Sequence, residues 1–279
     1  MFSDSRVALW LIIRSHTGML TEDQVNRFGG IGRLYGKDAL ETFTRSHVMV
    51  VGLGGVGSWT VESLARSGVG RLTLVDLDDI CITNTNRQLP AHEGHYGQMK
   101  AEALAARVKS INPSIEVAVE LAFYSERNAE SLLSTAPDMV VDAIDAVKAK
   151  CHLLATCIAR GIPICSCGGA GGRMDATKIQ VDDLSRSHGD KLISSVRQRL
   201  RKEYGFPTGE GKKPRKFKIP TVFSAEEMTP PQPCSLEEGG GSSEAPRNLN
   251  CATGYGAVTH VTATFGCVLS QLVLTQLKG

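Results

Sequence analysis

The stretch VGLGGVGSWTVESLARSGVGRLTLVDLDDI, residues 51–80, constrains the fold more than any other. The pattern Gly52-x-Gly54-Gly55-x-Gly57 follows the apolar run HVMVV and leads into apolar residues at helical spacing, and Asp76 closes the next apolar run, RLTLVD. Glycines in such a turn let the backbone approach phosphate, the helix start offers free N–H donors, and an acidic residue about twenty positions on takes ribose hydroxyls. The turn therefore predicts strand, turn, helix and strand around an adenosine carrying phosphate. Its bland alternative is a packing turn without a ligand.

The rest of the chain repeats the alternation. GQMKAEALAARVKSINP has apolar spacing near 3.6 and stops before Pro113; EVAVELAF alternates as a strand; PDMVVDAID is a buried strand. AVKAKCHLLATCIARGIP reads as a helix closed by Gly161, PICSC and DATKIQVDDLS as strands, and DKLISSVRQRLRKEYG as a helix with Leu192, Ile193, Val196, Leu200 and Tyr204 on one face. This order predicts an α/β fold, a Rossmann-like doubly wound, mostly parallel sheet with helices on both faces, its ligands at the carboxyl ends of the strands. Residues 1–21 read as a tail, and 22–279 as a single ATP-binding domain with mobile loops at 209–220 and 229–247, rich in basic and in Pro, Gly and Ser residues respectively. The charge-free segment 249–277 is interrupted by His260, Gln271 and Gln276, so a buried helix is expected there and not a membrane span.

Residues after the second strand decide between nucleotides. VDLDDICITNTNRQL gathers Asp76, Asp78, Asn84, Arg87 and Gln88, and Lys100 opens the next helix. Hydride transfer needs a flat apolar slot for nicotinamide, whereas Arg, Lys and Asn beside phosphates suit a triphosphate. The expected ligand is ATP. Asp145, at the carboxyl end of the DMVV strand, suits Mg2+ bridging phosphates, with a helix cap as its bland reading; Asp142 is expected to brace the turn. The glycine-rich CGGAGG, residues 167–172, can bring backbone against a ligand or serve only as a turn.

A formal net charge of +2 shows no bulk affinity for polyanions. Basic residues do concentrate between 197 and 218: Arg197, Arg199, Arg201, Lys202, Lys212, Lys213, Arg215, Lys216 and Lys218. They form either a solvated face or a nucleic-acid phosphate contact. Eight cysteines, mostly in apolar runs, read as reduced cytoplasmic thiols that fill the core, and Cys251 as structural.

Together, GLGGVGS, VDLDD, TNTNRQ, GQMKAE and DAIDAVKAK resemble the ThiF/MoeB/HesA superfamily of ubiquitin-activating-enzyme-like proteins, which adenylate carboxylates. RFGGIGRLYGKDAL, SCGGAGGRMDATKIQVDDL, VFSAEE and CATGYGAVTHVTATFG are similar to its tRNA threonylcarbamoyladenosine dehydratase branch; the paired CxxC motifs of ThiF and MoeB are absent. The resemblance implies a ligase-like enzyme that adenylates the threonyl carboxylate in tRNA and cyclises it. Residue by residue it implies Asp76 at the ribose, Asn84, Arg87 and Lys100 at phosphates, Asp145 at magnesium, and the 167–172 glycines at the substrate carboxylate. It further implies a homodimer in which Arg33, with Arg27 second, reaches the partner's ATP, and a substrate tRNA carrying threonylcarbamoyladenosine met by the basic run. A sulfur-relay or desulfurase partner stays open, as does an alternative activity, adenylation of a ubiquitin-like sulfur-carrier protein.

Overall fold

The computed structural model describes residues 20–208, 215–231 and 255–279. Its centre is β1, His47–Val51, buried along its whole length. Val48 and Val50 face one hydrophobic cluster and Met49 and Val51 the other, the period-two alternation of a strand covered on both faces. β2 (Arg71–Val75), β3 (Glu116–Glu120), β4 (Met139–Asp142), β5 (Ile164–Cys167), β6 (Ile179–Asp183) and β7 (Pro220–Ser224) complete a sheet of order β3-β2-β1-β4-β5-β7-β6. All pairs are parallel except β6 with β7. The chain moves outward from β1 through β2 to β3, then returns to lay β4 on the other side of β1. A crevice consequently opens at the carboxyl ends of β1 and β4, where Val51 is in register with Asp142.

Among the described residues eight helices accompany the sheet: α1 (Glu22–Tyr35), α2 (Lys37–Arg45), α3 (Gly57–Arg66), α4 (Lys100–Ile111), α5 (Ala129–Leu133), α6 (Val147–Arg160), α7 (Lys191–Glu203) and α8 (Thr259–Lys278). Leu64 of α3, Leu104 of α4 and Phe265 of α8 join Val48 and Val50; Leu153 of α6 and Val196 of α7 join Met49 and Val51. α8 takes the charge-free C-terminal segment into the core through Val261, Phe265, Leu269 and Val273. Among the described residues, no helix is long and apolar enough to cross a membrane.

Several elements differ from the sequence reading. α1 begins at a capping box between Thr21 and Gln24, so Thr21 belongs to the helix start and not to a tail. β7 and the short α5 have no counterpart in the sequence reading, and β6 runs antiparallel at the sheet edge. Residues 215–220, expected in a mobile loop, are anchored: Phe217 and Ile219 are buried, and the Asp183 carboxylate accepts N–H donors from Phe217, Lys218 and Ile219 at 2.8, 2.7 and 3.2 Å. Thr229 likewise donates to the Gly172 carbonyl at 2.7 Å. Residues 209–214, 232–247 and Cys251 lie outside the described residues.

Candidate active site

The first glycine turn is built on backbone approach. Gly52 has φ +89°, and a Cβ there would lie 2.7 Å from the Ala143 carbonyl oxygen; one on Gly57 would lie 1.9 Å from the Gly52 oxygen. Only glycine lets the turns after β1 and β4 and the start of α3 close on each other. The Asp76 carboxylate secures the turn, accepting the Leu53 N–H at 2.6 Å and the Asp78 N–H at 2.8 Å.

These turns enclose a cavity of about 960 Å³, and it gathers most of the expected residues: Gly52, Gly54, Gly55, Asp76, Asp78, Asn84, Arg87, Gln88, Lys100 and Asp145. Gly57 lies behind it as a packing residue. Cys167 to Gly171 and Tyr255 to Ala257 also line it, and the half-exposed Phe123 stands beside Tyr124 on its wall. Asn84 closes a short 3₁₀ turn by accepting the Cys81 N–H at 3.1 Å. Arg87 Nη1 donates to the Thr83 carbonyl and Asn86 Oδ1 at 2.8 and 2.9 Å. Lys100 is buried and pairs with Asp78 at 2.8 Å, so within the chain Asp78 orients the lysine. Gln88 is buried with Oε1 unpartnered among the described residues, a lost hydrogen bond that a donor on a ligand would restore.

Arg33 and Arg27 are not brought to this cavity. Arg33 is exposed on α1, and Arg27 pairs with Asp23 at 2.8 Å and donates to the Ile111 carbonyl. The basic run divides similarly. Arg197 donates to the carbonyls of Leu184 and Ser187, Arg199 pairs with Glu203, and Arg201 lies over the Phe217 ring, so these three serve the fold. Lys202, Arg215, Lys216 and Lys218 stay exposed, and Lys212 and Lys213 lie outside the described residues.

Sequence reasoning missed the braces behind the cavity. Asp142 accepts the Ile144 N–H at 3.2 Å and the Ser166 hydroxyl at 2.7 Å, as a turn brace should, but its main partner is Lys150 at 2.8 Å. Lys150 also donates to the Ile144 carbonyl at 3.0 Å. Burial works against the Lys150 ammonium, yet the facing carboxylate outweighs it and raises the lysine above its ordinary range. The signal available was a lone lysine on the buried face of a helix, within the motif DAIDAVKAK. The 84–88 loop is held by α8: Asn86 donates to the Ala257 carbonyl, Thr259 to Asn86 O, and Thr262 to Arg87 O, at 2.8, 2.7 and 3.2 Å.

Similarity to known proteins follows the same geometry. The ThiF family model matches residues 30–279. The chain belongs to the ThiF family. It is 47% identical over 251 residues to the tRNA threonylcarbamoyladenosine dehydratase of Haemophilus influenzae, covering 90% of this chain and 93% of that protein. To the enzyme of the same name from Escherichia coli it is 44% identical, covering 91% and 94%. The crystal structure of E. coli TcdA, tRNA N6-threonylcarbamoyladenosine dehydratase in complex with ATP, superposes with a TM-score of 0.82 at 39% identity, covering 93% of this chain and 96% of that one.

Within this ThiF-family cavity the residues suit a magnesium ion only in one manner. Asp145 is exposed there and makes no hydrogen bond or ion pair among the described residues, and no cluster of three or more His, Cys, Asp or Glu is present among them. That donor set matches an ion held by one carboxylate with phosphate and water completing the shell. Cys151, Cys157, Cys165 and Cys167 are buried, and burial pushes the Cys167 thiol up to about 12, leaving it unsuited as a nucleophile. Cys81 and Cys267 are exposed and stand outside the filler role expected for most of the cysteines.

Proposed function

We propose that the chain is an ATP-dependent enzyme that dehydrates threonylcarbamoyladenosine in tRNA to its cyclic hydantoin form. What carries the reading is the convergence of the glycine turn, Arg87, Lys100 and the unpartnered Asp145 on one cavity, opposite a second glycine-rich wall. The dehydratases of H. influenzae and E. coli match this chain over nearly their whole length. A tRNA substrate and ATP as co-substrate are consistent with a reaction in the cytoplasm, the compartment this reading implies.

In the first step a threonyl carboxylate oxygen bonds to the α-phosphorus of ATP and the bond to pyrophosphate breaks. In the second, the ureido nitrogen attacks the acyl carbon, loses its proton, and AMP leaves with the former carboxylate oxygen. Water is thereby removed without hydroxide as a leaving group. Asp76 takes the ribose; Asn84 binds phosphate oxygens through its amide, and Arg87 and Lys100 neutralise charge that grows on them. Asp145 would hold magnesium, whose chemistry is to draw charge from those oxygens. The wall of Gly168 to Gly171 receives the acyl end. In a homodimer Arg33 of one copy would serve the site of the other, which accounts for its distance from the cavity in a single chain.

The test is incubation of the purified protein with ATP, magnesium and tRNA containing the uncyclised nucleoside. The nucleoside should lose the mass of one water, with one AMP and one pyrophosphate released per event. Unchanged tRNA, together with pyrophosphate exchange stimulated by a carrier protein ending in Gly-Gly, would overturn the reading in favour of carrier activation.

A further inference from the structure

The glycine wall 168–171 has a charged brace behind it. Arg173 is buried, its side chain wholly inaccessible, and pairs with the buried Asp190 at 3.5 Å. Its guanidinium donates to the carbonyls of Gly169 and Gly189 at 3.1 Å each, and to the Glu226 carbonyl. Asp190 Oδ2 accepts the Gly169 N–H at 2.9 Å, while Oδ1 caps α7 through the Ile193 N–H at 2.9 Å. A Cβ on Gly168 would lie 2.3 Å from Asp190 Oδ2, so the carboxylate can press against the wall only because that residue is glycine.

A buried ion pair gives little net stability compared with apolar residues of the same size, because both charges are desolvated. What it supplies is geometry: a planar fork of donors fixed on three carbonyls from three chain segments. Among the described residues, none of the hydrogen bonds of Arg173 or Asp190 reaches the 52–57 turn or the 84–88 loop.

We propose that Arg173 and Asp190 are positioning residues for the substrate side of the cavity, holding the 168–171 backbone in the shape that receives the acyl end without acting on the nucleotide. The proposal rests on the dehydratase reading for its substrate, and the clamp itself can be tested without turnover. In Arg173→Lys and Arg173→Gln, amide hydrogen exchange across 167–172 should accelerate roughly tenfold while exchange across 51–57 holds. ATP affinity should stay within about twofold, and kcat/KM for the modified tRNA should fall roughly tenfold or more, mainly through KM.

Asp190→Asn keeps the helix cap and loses the Gly169 acceptor, so it carries the same test if the arginine variants fail to fold. Unchanged exchange at 167–172 in a folded variant overturns the clamp, as does parallel loss of ATP binding and tRNA turnover. A wild-type protein inert toward modified tRNA would count against the dehydratase reading alone, since the exchange measurement still decides the brace.

Discussion

Lys150 Nζ lies 2.8 Å from the Asp142 carboxylate, and both side chains are completely buried. The pair joins the end of β4 to the first turns of α6, and the Lys150 bond to the Ile144 carbonyl shapes the turn from which Asp145 projects. Nothing apolar could replace the lysine without stranding the acid.

Lys150→Met should therefore destabilise the protein by about 3–5 kcal/mol, because it leaves a buried carboxylate without its counter-charge. Combining it with Asp142→Asn should recover part of the loss. Urea unfolding of the single and double variants measures both; a single variant as stable as the parent would refute the coupling.

Asp145 presents the opposite case. It is exposed and makes no hydrogen bond or ion pair among the described residues, so Asp145→Ala should leave the unfolding free energy within about 0.5 kcal/mol of the parent. Turnover should nevertheless fall on the order of a hundredfold, with the deficit visible as a raised magnesium requirement in pyrophosphate exchange. A drop in stability parallel to activity would show that the carboxylate serves the fold.

Arg33 can be tested by subunit mixing. On the proposed homodimer, Arg33→Ala and Asp145→Ala should each be nearly inactive, and dimers re-formed from equal amounts should regain roughly a quarter of parental turnover, since half the dimers would then hold one complete site. No recovery after verified exchange would remove Arg33 from the partner's site.

Acid should weaken the fold in a defined window. Burial, with Arg71 nearby, lowers the His47 pKa from 6.5 to about 4, so the unfolded chain takes up a proton before the folded one. The stability tied to neutral His47 is complete above pH 6.5 and is lost as pH falls toward 4, up to about 3 kcal/mol. Asp183 adds to acid sensitivity at lower pH. Its burial favours the neutral acid, but bonds from Ser185 and the 217–219 backbone prevail and hold its pKa below the ordinary value. Urea midpoints across pH 4–7 should slope steeply in the parent and less in His47→Gln.

If the basic run meets tRNA phosphates, the contact would rest on its exposed cations, Lys202, Arg215, Lys216 and Lys218. Arg215→Glu with Lys216→Glu should weaken tRNA binding and lower its salt dependence while ATP affinity holds. Titrations of each ligand at two salt concentrations separate the outcomes.

The nucleotide half of the site is legible in the sequence because it is local. A glycine turn, an acid after the next strand and a cluster of polar residues beyond it lie along consecutive elements, and buried parallel strands announce themselves as apolar runs. Of the opposite wall only the glycine run 167–172 shows, and its supports do not. Arg173 and Asp190 meet only once β5, α7 and the end of β7 have come together, and β7 itself, PTVFS, is too short and too close to a basic segment to show a period. Lys150 is hidden for the same reason, since a buried lysine looks like any helical lysine until its acid is known.

The hold of α8 on the 84–88 loop sets an order of events during synthesis. While Ala257 to Gly266 are still inside the ribosome, Asn86 and Arg87 lack two hydroxyls and a carbonyl that steady them, and the side of α3 opposite Gly266 stays wet. A nascent polypeptide can thus form β1, the glycine turn and Asp76 while the loop that bears Arg87 still lacks part of its support. Truncation before Thr259 should therefore weaken ATP binding more than it disturbs the glycine turn.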